Sequence, residues 1–567
     1  MQIMDALSST NRPQNLEVLA NTQFDVLVIG GGITGAGVAL DAVARGYRVA
    51  LVEKSDFASG TSSKSTKLVH GGIRYLPNFD FSLVHEALVE RGLLLQNAPY
   101  LVTPVGFVLP IYEGDRHPVG MPFTTPGGVG LNQLLRTGLW MYDTLAGRRN
   151  IKRHYHLTRA QMLQQNTTLL PDKLKEGFVY YDAQTNDARL TMAIMRTAAR
   201  YGATIVNYAQ VTAFESDGKQ LTGARVHDRI DNQTFIIRAR NIVNATGIYA
   251  DQVEAMTGTA SQVQIEPSKG VHLVLSREKL QLGENAIVFP ETEDKRVLFL
   301  VPWESRAIFG TTDTGTGDLD HPIVSPADIS YLLKYLNRYL TVHFTEEDII
   351  STYAGYRPLV KPATTQKATA RLSRSHVVLE HSTGLITVVG GKLTTYRRMA
   401  QDTVDMISKR DHSAIIHPTK SLPLQGSAAW KQTQQELRQQ GPAFGLNQRT
   451  IDHLIKSYGS EARIVFDLIK HDTTLGQLLI TDLPYIKAEV IYACRYEMAM
   501  TPTDVLARRT SIILEDKERG QGIVEGVAAL MGKELNWSPM DQQASIEDYH
   551  SKVRSQRKAE KSLTQHF

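Results

Sequence analysis

The chain has 567 residues, enough for several domains. It is 42% hydrophobic and 21% charged, a balance that places it among soluble globular proteins. Its 62 Lys+Arg against 58 Asp+Glu leave +4, too small an excess for a general nucleic-acid binder, so any basic function must be local. The single cysteine, Cys494, excludes an intrachain disulfide and any cysteine-cluster metal site, and no metal is expected. It also fits a reducing compartment.

The first twenty residues lack a basic start followed by an apolar core, so no signal peptide is expected. "FDVLVIGGG" then reads as a short apolar strand ending in glycines. "TGAGVALDAVARGY" has helical spacing and stops at Gly46. "RVALVEK" is a second strand, completing a β-α-β unit. Gly30, Gly32 and Gly35 fit G-x-G-x-x-G between strand and helix, and Glu53 ends the second strand. There a carboxylate can meet a ribose hydroxyl while the helix N-terminus faces a pyrophosphate. The fingerprint alone leaves NAD and FAD open.

Residues 61–76, "TSSKSTKLVHGGIRYL", follow with five Ser/Thr hydroxyls, two lysines and no period that would make them core. Lys64 and Lys67 are expected in solvent. Gly92–Tyr112 carries no charge but has three prolines, which argues against a spanning helix. "VGFVLPIY" inside it reads as a strand.

Residues 131–153 hold five cations (Arg136, Arg148, Arg149, Lys152, Arg153) and one acid, an excess equal to that of the whole chain. Leucines and Trp140 recur at helical spacing. Such a helix can lie on an anionic membrane or turn its apolar face to the core, and both readings stand.

"RLTMAIMRTAARYGATIV" is helix then strand, and "NIVNATGIYAD" is a strand running into a turn. "HVVLEHSTGLITVVGG" is a hairpin. Beyond about residue 420 helical stretches dominate, with Thr501 capping "TPTD". Several cations sit beside glycine: Arg74, Lys269, Arg357, Lys392 and Arg397. Converging cations suit a phosphorylated or carboxylated substrate. His272, in "PSKGVHLVL", is a candidate base.

In that order these segments resemble the FAD-dependent (respiratory) glycerol-3-phosphate dehydrogenases. Asp25–Leu76 is similar to their flavin signature nearly throughout. "PSKGVHLVL", "VPWESRAIFGTTDT", "AGYRPL", "GLITVVGGKLTTYRRMA" and "RYEMAMTPTDVLARR" match later blocks. No calcium-binding loop pattern follows the helical region, which resembles the bacterial rather than the mitochondrial type.

The resemblance implies an α/β plus α fold. It would have a glutathione-reductase-like, Rossmann-type FAD domain (24–99, 176–261 and 351–415) after an N-terminal extension (1–23). A mixed-sheet substrate domain (100–175 and 262–350) would be inserted, and an all-helical C-terminal domain (416–567) would follow.

It further implies oxidation of sn-glycerol 3-phosphate to dihydroxyacetone phosphate, with FAD as hydride acceptor and a membrane quinone beyond it. The expected setting is a cytoplasmic homodimer, peripheral on the inner face of the cell membrane. FAD would contact Gly30, Gly32, Ile33, Thr34, Gly35, Glu53 and Lys54. It would also meet Thr61, Ser62, Ser63, His70, Gly71 and Gly72, then Ala245, Thr246 and Gly247, and finally Gly391, Lys392, Leu393 and Thr394. Arg74, Tyr75, Arg357 and Lys392 would hold substrate. His272 would be the base and Arg357 would stabilise the alkoxide. An oxygen-reducing glycerol-3-phosphate oxidase, an amine or amino-acid oxidase of the same superfold, and a flavin-free binding protein are the alternatives.

Overall fold

The computed structural model describes residues 7–115, 130–259, 261–289, 292, 296–315, 317–361 and 376–561. Residues 1–6 of the N-terminal extension, 116–129 of the expected substrate domain and 562–567 of the tail lie outside them. Two sheets and a helical region make up the fold.

The first sheet is built on five parallel strands: Leu385–Gly390, Thr234–Asn244, Gln23–Ile29, Val49–Val52 and Thr204–Val206, in that spatial order. Strands buried on both faces are apolar without alternation, as "VALV" is. An antiparallel strand, His376–Glu380, closes one edge, and the hairpin Ala209–Ser216/Leu221–Asp228 hangs from Thr234–Asn244. The helix Ile33–Ala44 packs on Asp187–Arg200 and Tyr396–Arg410 over one face.

The second sheet has nine strands and is mixed. Gln264–Ser276 pairs antiparallel with Ile349–Lys361 along its length, and Thr103–Tyr112 likewise with Leu174–Gln184. The expected boundaries at 176 and 351 therefore fall inside strands of this sheet. The hydrogen-bond partners of both strands lie in the second sheet. The short strand Leu68–Val69 also pairs here, with Leu174–Gln184. The 61–76 segment thus carries the chain from the nucleotide sheet to the second sheet.

Beyond Gly390 the described residues form helices and no further strand. Thr501 caps its helix as its sequence suggests, its Oγ1 accepting from Asp504 N–H. Buried ion pairs join this region to the rest. Asp56 accepts from Arg508 Nε at 2.5 Å and from both terminal nitrogens of Arg509 at 2.8 Å. Arg189 donates to Glu497 at 2.7 Å. Pairs this deeply buried cost little only while complete, because removing one partner strands a charge.

Candidate functional site

A cavity of about 990 Å³ runs between the two sheets, and its walls come from both. Its first half is built by the glycine turn. Gly30 has φ +111, and a Cβ there would lie 2.6 Å from the Ala245 carbonyl oxygen. A Cβ on Gly35 would run into the Gly30 carbonyl oxygen, so only glycine lets the helix start this close to the strand. Glu53 accepts from Gly31 N–H at 2.6 Å and from Ser55 N–H at 2.9 Å. Burial pushes its carboxyl above the ordinary range, against those two donors. Ser62 Oγ accepts from Ile33 N–H at 2.9 Å, which fixes the loop over the helix N-terminus. Gly30, Gly32, Ile33, Thr34, Glu53, Lys54, Thr61 and Ser62 all line the cavity, as do Ala245, Thr246 and Gly247. A bare backbone turn, a helix N-terminus and a carboxylate at the second strand's end fit FAD's pyrophosphate and ribose.

Four expected contacts stand behind the wall instead. Ser63, Gly71 and Thr394 are not on the cavity surface, and Gly35 acts through packing. Gly71 donates its N–H to Asp182 and is pressed against Leu88 and Tyr142. Thr394 Oγ1 accepts from His70 N–H at 3.1 Å, so it supports His70, which does face the cavity. Thr61 Oγ1 is spent on the Tyr356 carbonyl at 2.7 Å. The expectation that Lys64 and Lys67 are solvated does not hold. Lys67 is 3% exposed and pairs with Asp187 at 2.5 Å. Lys64 lines the cavity, and burial beside Arg508 pushes its ammonium down to about 8.

The second half of the cavity collects cations. Arg74, Arg296, Arg357 and Lys392 line it with Tyr75. Lys392 Nζ lies 4.2 Å from the centre of the Tyr75 ring. That buried ammonium has no hydrogen-bond acceptor among the described residues. Burial and the nearby Arg74 push it down to about 8. Arg74 donates to the Tyr75 hydroxyl at 2.9 Å. Arg357 donates to Thr311 Oγ1 at 3.0 Å and lies 3.6 Å from Asp313. Burial, Lys392, Arg74 and Arg91 push His70 down to about 3, so it stays neutral. Buried Arg357 and Lys392, with Arg74 beside them, make this half of the cavity a setting for an anionic substrate.

His272 is set back from this space. It is 2% exposed, does not line the cavity, and stacks on Tyr353 with ring centres 4.7 Å apart. Its Nε2 meets Thr66 Oγ1 at 2.9 Å, and Thr66 is on the cavity wall. Burial, Arg357 and Lys67 hold the imidazole well below its ordinary pKa.

Sequence reasoning chose no residue from the block "RAIFGTTDT", yet Thr311, Thr312 and Asp313 line the site. Their match to a later family block was the available signal. It also missed Arg296 and an apolar lobe formed by Leu76, Phe107, Leu109, Leu134, Leu139 and Phe299. The 131–153 segment supplies part of this lobe, for its helix Leu131–Ala146 buries Leu139, Tyr142 and Ala146.

Comparison with known proteins gives the same picture. Residues 25–397 match the FAD dependent oxidoreductase family, and 417–542 match the C-terminal domain of alpha-glycerophosphate oxidase. The mitochondrial glycerol-3-phosphate dehydrogenase of Mus musculus is 40% identical over 566 residues, 95% of this chain and 74% of the relative. Glycerol-3-phosphate dehydrogenase 2 of Mycobacterium bovis is 37% identical over 560 residues, 97% of this chain and 92% of the relative. Among solved structures, the glycerol-3-phosphate dehydrogenase from Bacillus halodurans complexed with FAD superposes with a TM-score of 0.79. It is 29% identical, with 99% of this chain and 100% of that one covered. With a dinucleotide cradle joined to a cationic pocket and relatives that match it nearly end to end, the chain belongs to the FAD-dependent glycerol-3-phosphate dehydrogenases.

Proposed function

We propose that this glycerol-3-phosphate dehydrogenase turns sn-glycerol 3-phosphate into dihydroxyacetone phosphate in the inter-sheet cavity and delivers the electrons to a membrane quinone. The observation that carries the substrate reading is Lys392: a buried ammonium, lacking an acceptor among the described residues, beside Arg74. A phosphate oxygen would complete that site.

Arg74 and Lys392 hold the phosphate, with Tyr75 fixing both. Arg357 faces the C2 oxygen and favours negative charge there as its proton leaves. His272 is the proton acceptor, neutral at rest because burial and two cations oppose its charging. Bound FAD supplies the hydride acceptor, and the protein's part is to orient the C2–H toward it. The assay is kcat/KM for glycerol 3-phosphate against glycerol. A ratio near one rejects the phosphate site, and faster turnover of an amino acid favours the oxidase reading.

The apolar lobe supports a quinone as acceptor, since a small polar substrate has no use for those leucines and phenylalanines. An excess of peroxide under air over quinone reduction points to the oxidase instead.

Membrane attachment is supported by exposed apolar rings on elements that pack together. Phe79 is 75% and Trp140 61% exposed, and Phe81 stands beside Phe79. Exposed Arg136, Arg148, Arg149, Lys152 and Arg153 belong to the same basic segment. Among the described residues no helix is long and apolar enough to cross a membrane, so attachment would be at the surface. Co-sedimentation with anionic liposomes tests this. Partitioning of Trp140→Glu and of Arg148→Glu/Arg149→Glu equal to that of the parent rejects it. A homodimer at the inner face of the membrane completes the proposal, and its solution mass should be twice that of the chain.

A further inference from the structure

The proton acceptor proposed above does not itself line the cavity. The Nε2 of His272 is 2.9 Å from the hydroxyl of Thr66, a residue that does. We infer that Thr66 relays the proton from the substrate's C2 hydroxyl to His272. This rests on the reading of His272 as proton acceptor and adds to it a residue and a route.

Several features hold the pair in place. Thr66 lies between Ser65, whose N–H and hydroxyl both bind Asp187, and the buried Lys67–Asp187 pair. Tyr353 donates its hydroxyl to the Ser65 carbonyl while its ring stacks on the imidazole. Strand register sets the imidazole itself, because His272 faces Tyr353 on one side and Gly310 on the other. A Cβ on Gly310 would lie 2.8 Å from the Val271 carbonyl oxygen and collide with the imidazole edge, so that position must stay bare. A hydroxyl is suited to the middle of such a chain because it donates and accepts at once.

The step balances. The C2 hydroxyl gives its proton to Thr66 Oγ1 as the Thr66 proton passes to His272 Nε2. The C2–H bond breaks, its electron pair leaves as hydride to the flavin, and the C2=O bond forms. Thr66 ends as it began, and His272 holds one extra proton until it is released. This requires Nε2 to be the unprotonated nitrogen at the start, with the proton on Nδ1. The charged and titratable groups facing the imidazole are Arg357, Lys67 and Tyr353. Both cations disfavour the imidazolium, so its proton is readily lost again after each turnover.

The test compares Thr66→Val, Thr66→Ser and His272→Gln in FAD-loaded protein under anaerobic rapid mixing with glycerol 3-phosphate. Substrate dissociation constants are read from the perturbed flavin spectrum before reaction. Thr66→Val should bind substrate within about twofold of the parent, yet reduce its flavin on the order of 100-fold more slowly. Thr66→Ser should recover to within about threefold. In mixed H2O and D2O the parent's reduction rate should curve as two protons in flight require. If Thr66→Val keeps the parental rate while His272→Gln loses it, the relay is wrong and the base stands. If both keep the rate, the base assignment falls and the relay with it. A strictly linear proton inventory in the parent also overturns the relay, even should Thr66→Val fail to fold.

Discussion

Lys392→Met replaces a buried ammonium by an apolar side chain of similar length. The lysine's charge is poorly served by its surroundings: burial and Arg74 push its pKa from 10.5 down to about 8. Each pKa unit is about 1.4 kcal/mol, so holding the charge costs the folded protein up to about 3 kcal/mol at neutral pH. The sign follows from a depressed lysine. The cost is present below about pH 8 and fades as pH rises toward 10.5, where the unfolded chain also loses its proton. Lys392→Met should therefore melt higher than the parent at pH 7, with the gap closing above pH 8. Activity should move the other way. A hydrogen bond from a charged group is worth about 1.5–3 kcal/mol, so kcat/KM for glycerol 3-phosphate should fall by about 10- to 150-fold. In the parent that ratio should decline above pH 8, and in the variant this limb should vanish. Differential scanning at pH 7 and 10, with steady-state kinetics over the same range, supplies both measurements. A variant that melts lower and keeps kcat/KM within about twofold would refute the reasoning, since neither the desolvated charge nor the phosphate contact would then exist.

Three further substitutions probe the frame. Gly35→Ala places a methyl against the Gly30 carbonyl, so the purified protein should be colourless, and a normal flavin spectrum contradicts the cradle. Glu515 is fully buried, and burial with Glu304 nearby raises its carboxyl to about 7. An acid raised in the fold favours stability below pH 4.5 and loses it as pH passes 7, so Glu515→Gln should melt higher than the parent at pH 8 and equally at pH 4. The gain should be up to about 3 kcal/mol, and no difference at pH 8 rejects the assignment. Asp56→Asn removes the carboxylate that Arg508 and Arg509 share, leaving Arg508 only Asp504 and Arg509 only the more distant Glu497. A loss of about 3–5 kcal/mol in denaturant unfolding is expected, and less than about 1 kcal/mol contradicts it.

The glycine turn was legible in the sequence because its constraint is steric and local. Gly30, Gly35 and Glu53 need only the strand and helix beside them. The matching blocks also brought Arg74, Arg357 and Lys392 to one cavity across more than 300 residues. Lys67 was misread because its partner, Asp187, is 120 residues away and no local pattern announces it. His272 was found, but its distance from the cavity depends on the register of Gln264–Ser276 between two other strands, and register is a long-range property. The helix Leu131–Ala146 was evident from its period, yet spacing alone could not say that its leucines wall the cavity while Trp140 faces outward.

Anaerobic mixing of the purified, FAD-loaded protein with sn-glycerol 3-phosphate, followed at the flavin absorbance bands, tests the central claim most directly. Rapid bleaching with formation of one dihydroxyacetone phosphate per flavin is the expected result. Flavin that stays oxidised with glycerol 3-phosphate, and bleaches instead with glycerol or an amino acid, would contradict it.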